Sequence, residues 1–421
     1  MRVCFITGEY PPMTGGVGDY TRIMAHTLAQ MGLQTAVLTI SRVRAFWDQA
    51  PAAVSVYPII RHWGFTSWPA IGRALRRLDP DILHLQYQTA AYAMHPAVNL
   101  LPWWLRRSFP ELITVTTFHD LREPHPFPAS GKLGVAKWLN RFLLRQSHAA
   151  ILTNAEDAHR VQQWGIDLTG PHASGVVRLI PIGANVLPQA TTDYQRQRWR
   201  QRFSPCTDGF LISYFGLINQ SKGFDTLLRA LRRLIDGGLP VLLVVVGGEA
   251  GESDPTNQVY RQQVLQLAQE LGVARYLRWT GFLPDDHASA CLKASDVCVL
   301  PYRDGASYRR GGLMAALVHG LPIVSTQKRE NPEPPLPEQL SAGGGVPELV
   351  SGRNCLLVPP DDPVALAGAV QQVLSQPELA RRLGEGALEL SQAFSWQSIA
   401  EKHVALYGEL LRRGARRVGG P

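Results

Sequence analysis

Short apolar runs, glycine turns and helical stretches alternate along this chain in two separate series. The first series opens with Arg2–Thr7, an apolar run that reads as a strand. Gly15–Gly18 make a turn, Tyr20 to Met31 has helical periodicity ended by Gly32, and Thr35–Thr39 reads as a second strand. A strand, a turn, a helix and another strand in that order make a β-α-β unit with a parallel sheet. Ile82–Gln86, Leu112–Thr117, Ala149–Thr153 and Val176–Ile182 continue the strands, and Lys132–Arg145 is a helix with an apolar and a basic face. Residues 41–80, rich in Trp and Arg, read as irregular.

Asn185 to Asp208 reads as a hinge, with Pro188, Pro205 and the basic run Arg196, Arg198, Arg200, Arg202. The second series starts at Phe210–Phe215. Helix Thr226–Ile235, strand Val241–Val246, helix Val259–Leu271, strand Tyr276–Thr280 and helix His287–Ala294 follow. Val297–Leu300 is a buried strand, Leu313–His319 a short helix opened by Gly311 and Gly312, and Pro322–Thr326 the next strand. Cys355–Val358 is a late strand; Pro363–Leu374 and Glu378–Ala393 are helices. Trp396–Arg413 is a helical pattern long enough to reach away from its own sheet. The Pro- and Glu-rich stretch Asn331–Gln339 reads as a surface loop. For 421 residues, two α/β domains of roughly 200 residues each are expected. The divisions are 1–186, a hinge at 187–208, 209–395, and a terminal helix at 396–421. Two doubly wound, Rossmann-like sheets in tandem imply a cleft, with ligands outside the carboxyl ends of the strands.

The net charge of +8 is uneven. Residues 1–200 carry 20 Lys and Arg against 12 Asp and Glu, while residues 201–421 carry 22 of each. The whole basic excess thus belongs to the first half, which points to an acidic partner there: a membrane surface, a phosphorylated substrate or nucleic acid. Trp63, Trp68, Trp103 and Trp104 are interleaved with arginines. That pairing suits the headgroup layer of a membrane, though it also suits RNA or an interdomain core. Peripheral membrane contact is the preferred reading, and nucleic acid is not expected as a partner. The five cysteines have no metal spacing and read as reduced core thiols of a cytoplasmic protein. The N-terminal apolar run is too short for a signal peptide, and no run reaches the length of a membrane span.

Four stretches could carry chemistry. Gly15-Gly16-Val17-Gly18 opens a helix after the first strand, where glycines let a ligand approach and expose N–H groups to an anion. It lacks the third glycine of the dinucleotide fingerprint, so NAD is not supported. His119, at the end of a strand, could donate to a hydroxyl or act as acid or base, or be a satisfied structural histidine. Gly216 to Gly223 places Lys222 where an ammonium could meet a phosphate at a helix N-terminus; the spacing is not Walker A. Arg303, Asp304, Ser307, Arg309 and Arg310 precede Gly311-Gly312-Leu313, so guanidiniums stand at a helix start and favour a phosphate. Asp79-Pro80-Asp81 could hold a divalent cation, but a turn before a strand explains it more simply.

The order and spacing of these stretches resemble glycosyltransferase family 4, sugar-nucleotide-dependent enzymes of the two-domain GT-B fold. The likeness runs through Pro11-Pro12 with Gly15–Gly18, Pro181-Ile182-Gly183-Ala184-Asn185, and Phe215-Gly216 with Lys222-Gly223. It continues through Gly281-Phe282-Leu283, Ala294-Ser295-Asp296-Val297, Gly320–Val324, Gly344–Glu348 and Leu357–Pro360. The resemblance implies a hexosyltransferase that moves a sugar from a nucleotide-sugar donor to a glycan or lipid-linked acceptor, with retention and without a bound metal. The second domain would hold the nucleotide, the first the acceptor, and the terminal helix would cross back to the first. By position, Lys222 would neutralise the diphosphate and Gly15 and Gly16 would approach phosphates or sugar. His119 would contact the transferred sugar, and the region around Phe282 would flank the base.

Two departures stand out. The family usually has two glutamates eight positions apart, and here Ser307 and Ala315 occupy those places. The family also tends to have an Arg between Phe215-Gly216 and the Lys; Leu217–Ser221 contains none. One expectation unites them: Arg309 or Arg310 replaces the missing Arg from across the cleft, and Asp304 or Ser307 contacts the sugar. Gly216, Gly311, Gly312 and Leu313 complete the expected donor site. The alternatives are a non-catalytic nucleotide-sugar-binding protein, or a sugar-nucleotide epimerase, for which Glu9 is the obvious acid/base candidate.

Overall fold

The computed structural model describes residues 1–13, 15–43, 54–121, 134–166, 176–189, 194–203, 209–247, 255–328, 340 and 347–418. The chain divides into two compact units. One comprises Met1–Gly183, Glu333–Val346 and Trp396–Pro421; the other comprises Ala184–Pro332 and Pro347–Ser395. The stretch Asn331–Gln339 and Gly344-Gly345-Val346 lie outside the described residues.

The first unit is built from β1 (Arg2–Thr7), α1 (Gly16–Gln30), β2 (Gln34–Ile40), β3 (Val54–Ile60), α2 (Trp68–Leu78), β4 (Ile82–Tyr87), α3 (Ala97–Ser108), β5 (Ile113–Phe118), α4 (Val135–Gln146), β6 (Ala149–Leu152), α5 (Ala155–Gln163) and β7 (Val176–Leu179). Its sheet runs β3-β2-β1-β4-β5-β6-β7, with every pairing parallel. The strand order reverses beside β1, so the loops after β1 and β4 meet at a switch point. Val3 to Thr7 are buried to 1% or less, as expected of a strand covered on both faces.

The stretch 41–80 is not irregular. It contains β3 and α2. Pro58 disguises β3, yet an edge strand tolerates the missing N–H. In α2, Ile71 and Leu75 lie four apart and are buried, while Arg73, Arg76 and Arg77 face outward. The expected hinge likewise contains a helix, α6 (Arg196–Phe203). Arg196 and Arg200 of α6 donate to Asp296 at 2.6 and 2.8 Å, which ties the basic run to the second unit.

The second unit continues with β8 (Phe210–Gly216), α7 (Phe224–Asp236), β9 (Val241–Gly247), α8 (Pro255–Glu270), β10 (Leu277–Trp279), α9 (Asp285–Ala294), β11 (Val297–Leu300), α10 (Gly311–Val318), β12 (Ile323–Thr326), β13 (Leu356–Val358), α11 (Pro363–Ser375) and α12 (Pro377–Ser391). The order β10-β9-β8-β11-β12-β13 is again all parallel, and it reverses between β8 and β11. Phe224, Leu227, Leu228, Leu231 and Leu234 recur at helical spacing on the buried face of α7.

The last helix, α13 (Trp396–Val418), belongs to the first unit. Its stripe of Trp396, Ile399, Ala400, His403, Leu406, Tyr407 and Leu410 is buried in that unit's core. Tyr407 Oη lies 2.5 Å from His84 Nδ1, and Arg178 pairs with Glu409 at 3.0 Å. Cys4, Cys291, Cys298 and Cys355 are buried free thiols; Cys206 lies outside the described residues. No helix among the described residues is long and apolar enough to cross a membrane.

Candidate functional site

The switch point of the second unit gathers most of the expected donor residues. Strand β8 ends at Gly216, whose φ of +126° excludes a side chain. The chain then turns through Gln220–Lys222 into α7. Because β11 pairs with β8, the loop after β11 emerges at the same sheet end. Two hydrogen bonds knit the two segments: Arg303 N–H donates to Ser221 O at 3.0 Å, and Arg310 Nη1 donates to Ser221 Oγ at 3.3 Å. Lys222 and Arg310 therefore belong to one unit and one sheet end. The expectation of an Arg reaching from across a cleft is corrected by that pairing.

The electrostatics of this corner favour an anion. Lys222 Nζ lies 3.0 Å from where a Cβ on Gly216 would sit. Burial and the Arg310 guanidinium push the Lys222 ammonium down to about 7. Arg310 Nη2 donates to Asp304 Oδ1 at 2.6 Å and its guanidinium sits 5.0 Å from the Tyr302 ring centroid. Arg309 pairs with the same carboxylate. Burial alone would raise the Asp304 carboxyl, but the charge and hydrogen bond of Arg310, with Arg309 behind, bring it below its ordinary value. Two guanidiniums thus share one carboxylate, with the Lys222 ammonium near Arg310. The Nε–H groups of Arg309 and Arg310 are buried without an acceptor, which is the orphaned-donor pattern a bound anion would relieve.

The α10 N-terminus adds backbone donors. The first N–H groups of a helix have no partner inside it, and none of the described residues accepts from Gly311 or Gly312 N. The two glycines differ in role. A Cβ on Gly311 would meet open space, whereas one on Gly312 would lie 2.5 Å from Phe215 O. Gly312 is therefore demanded by packing against β8, and Gly311 leaves the helix end open.

Three expected residues sit differently from their assigned roles. Leu313 is fully buried, and its N–H is given to Arg310 O at 2.9 Å. Asp304 spends its carboxylate on two guanidiniums rather than facing a ligand unpaired. Ser307 is buried in the turn that accepts the Arg310 N–H at 3.0 Å. Ala315 is fully buried in α10. Arg303 is locked between Asp225 at 2.7 Å and Asp361 at 3.0 Å. Phe282, in the loop after β10, leaves 74% of its surface exposed.

In the first unit the glycine turn holds an internal anion that the sequence reading missed. Glu9 Oε1 accepts from Val17 N at 3.1 Å and Gly18 N at 3.3 Å, capping α1. A Cβ on Gly15 would lie 2.1 Å from that oxygen, so Gly15 is required by Glu9. The N–H groups of Val17 and Gly18 are thus already satisfied; Gly16 faces open space. Burial raises the Glu9 carboxyl despite these two N–H bonds. This is a capping role rather than a free acid/base.

His119 follows β5 and is half-buried. Its Nε2 lies 2.8 Å from Gln86 Oε1, which makes Nε2–H the donor and leaves Nδ1 as an acceptor. Burial and neighbouring His403 lower its pKa to about 3, so the ring is neutral at pH 7. Tyr20 packs edge-on to His119 with centroids 4.7 Å apart, and Tyr20 Oη lies 3.4 Å from His403 Nε2 on α13. The Asp79-Pro80-Asp81 pair is a fold contact: Asp81 Oδ2 accepts from Arg2 N at 2.7 Å, and Asp79 pairs with Arg2. Among the described residues no cluster of three or more His, Cys, Asp or Glu is arranged to hold a metal.

The fold of two parallel α/β units is shared with solved glycosyltransferases of the GT-B fold. Sucrose-phosphate synthase from Thermosynechococcus elongatus superposes with a TM-score of 0.72 at 20% identity, covering 98% of this chain and all of that one. Anabaena Alr3699/HepE, solved in complex with UDP and glucose, superposes with a TM-score of 0.70 at 15% identity over 97% of this chain and all of that one. The family described as Glycosyl transferases group 1 matches residues 209–376, and the Glycosyl transferase 4-like domain matches residues 15–171. D-inositol 3-phosphate glycosyltransferase of Corynebacterium jeikeium (strain K411) is 31% identical over 99% of this chain and 98% of its own length. Its namesake from Corynebacterium efficiens is 24% identical over 97% and 95%. The chain belongs to this family of GT-B glycosyltransferases, enzymes that transfer a sugar from a nucleotide-sugar donor.

Proposed function

We propose that the second unit binds the diphosphate of the nucleotide sugar between Lys222 and Arg310, with the free N–H groups of Gly311 and Gly312 as further donors. The observation that carries this reading is the net positive corner at the β8–β11 switch point, where one carboxylate faces two guanidiniums and the Nε–H groups of Arg309 and Arg310 are buried without acceptors. As the sugar departs, negative charge grows on the diphosphate, and preorganised donors aimed there stabilise the transition state. Arg310 thereby takes the part of the Arg absent from Leu217–Ser221. Phe282 offers an exposed ring to flank the base, and Gly16 leaves room for the donor. Neutral His119 contributes its Nδ1 lone pair to a hydroxyl of the transferred sugar. Transfer proceeds with retention and without a bound metal; the leaving phosphate assists deprotonation of the acceptor.

The acceptor is a glycan or lipid-linked molecule held by the first unit. The aromatic surface there supports peripheral membrane contact: Phe65 is 49% exposed, Trp68 stacks on Trp104 at 5.3 Å, and Arg107 lies over Trp103. The experiment that tests the donor reading is a screen of nucleotide sugars for melting-temperature rise and for turnover. A ligand bound by the native state raises the melting temperature by mass action. One nucleotide sugar is expected to stabilise the wild type and to be consumed, and Lys222→Ala is expected to lose both effects. Stabilisation undiminished in Lys222→Ala would reject the site.

A further inference from the structure

A groove of about 730 Å³ opens on the first unit between the edge strand β3 and helix α2. None of the residues assigned above to donor or sugar lines it. One face of α2 forms its floor. Ala70 and Ala74 are small there, while Arg73 and Arg77, four residues apart on the same face, are long. The opposite face of α2 buries Ile71 and Leu75 in the core, so the helix cannot rotate to hide its arginines. Arg61 and His62, leaving β3, line the other wall, and Ser41 and Thr66 add hydroxyls.

Charge is what sets this groove apart. Three guanidiniums line it and no Asp or Glu does. Arg61, Arg73 and Arg77 are exposed and make no hydrogen bond or ion pair with any described residue. The neighbouring arginines are engaged: Arg76 lies over Phe109, and Arg107 lies over Trp103. Like charges lining one groove focus a positive potential and repel one another, a cost that a bound anion removes. Among the described strands β3 pairs with β2 alone, so it is the edge strand of the sheet beside them. Guanidinium forks match the oxygens of a phosphate better than those of a halide or a neutral sugar.

We propose that this groove is a binding site for a phosphate-bearing molecule, either a soluble sugar or polyol phosphate or the phosphodiester headgroup of a lipid. Binding itself is independent of the donor reading. Only its role rests on the proposal that the first unit holds the acceptor, in which case the bound phosphate is the acceptor's own.

The test uses the full chain and an Arg61→Ala/Arg73→Ala/Arg77→Ala variant, with Arg275→Ala/Arg381→Ala/Arg382→Ala of the second unit as the charge-matched control. The probes are glucose 6-phosphate by calorimetry, and phosphatidylcholine vesicles with and without phosphatidylglycerol by sedimentation. The groove variant should bind the effective probe about tenfold more weakly or worse, the control should match the wild type, and added salt should weaken wild-type binding. Binding of glucose 6-phosphate identifies a soluble phosphate as the ligand; binding of anionic vesicles alone identifies a headgroup. No wild-type binding to either probe, or equal loss in the groove variant and the control, overturns the site. Lys222→Ala keeps the groove's binding, and the groove variant keeps nucleoside-diphosphate binding, so failure here is separable from failure of the donor reading.

Discussion

Arg310 Nη1 donates a hydrogen bond to Ser221 Oγ, 3.3 Å away and 89 residues earlier in the chain. This contact joins the loop after β11 to the turn after β8 and keeps a guanidinium beside Lys222. The same arginine is anchored by Asp304 and by the Tyr302 ring, so it is positioned before any ligand arrives. Preorganised charge of this kind costs no reorganisation when the diphosphate leaves.

Arg310→Ala should weaken nucleoside-diphosphate binding by about 10- to 100-fold, the range of a lost charge-assisted hydrogen bond. Arg309→Ala should weaken it less, because the Arg309 side chain is 30% exposed against 14% for Arg310. Calorimetric titration of both variants checks the order.

The low Lys222 pKa gives a signed pH dependence. Free Lys222 loses its proton above about 7, and a bound diphosphate holds the proton on. Affinity should therefore be full below pH 7 and fall by up to about tenfold per unit above it. Titrations in buffers of different ionisation enthalpy should detect proton uptake on binding at pH 8. Lys222→Arg should abolish that uptake while keeping affinity.

Acid should unfold the first unit through its buried histidines. Burial lowers His403 to about 4 and His119 to about 3, and drives His84 well below its ordinary value. The unfolded chain binds these protons near pH 6.5 and the folded one does not. Stability is thus fully present above that pH and falls below it, by about 1.4 kcal/mol per unit per histidine. Melting temperatures between pH 7 and 4.5 should fall, and His403→Gln should flatten the slope.

Gly311 and Gly312 separate packing from binding. Gly312→Ala places a Cβ 2.5 Å from Phe215 O and should destabilise by about 1–3 kcal/mol. Gly311→Ala meets open space, so its melting temperature should stay near the wild type. Its nucleoside-diphosphate affinity should still drop, because the methyl stands at the helix end where the phosphate is placed. Thermal denaturation and calorimetry on the two variants check both halves.

The strands were legible because a parallel sheet buries both faces. Runs such as Val297–Leu300 are apolar throughout, whatever their distant partners. Strand β3 was hidden by Pro58, which only an edge position tolerates, and an edge position is a tertiary fact. Helix α3 was obscured by Pro102 within it, and α6 by its mostly polar composition. In the site, Lys222 and Arg310 were each visible at a helix start. Their proximity was not, because it depends on β8 pairing with β11. The cap that Glu9 places on α1 has no local signal, since the carboxylate returns from before the turn. Asp304 looked like a ligand for sugar because its five- and six-residue pairings with Arg309 and Arg310 run through a loop without regular spacing.

Calorimetric titration of UDP, GDP and ADP into the full-length wild type and Lys222→Ala tests the donor site most directly. One nucleoside diphosphate should saturate the wild type, and Lys222→Ala should bind it about 100-fold more weakly with an unchanged circular-dichroism spectrum. Equal affinity of the two proteins for that nucleotide would contradict a diphosphate site built on Lys222 and Arg310.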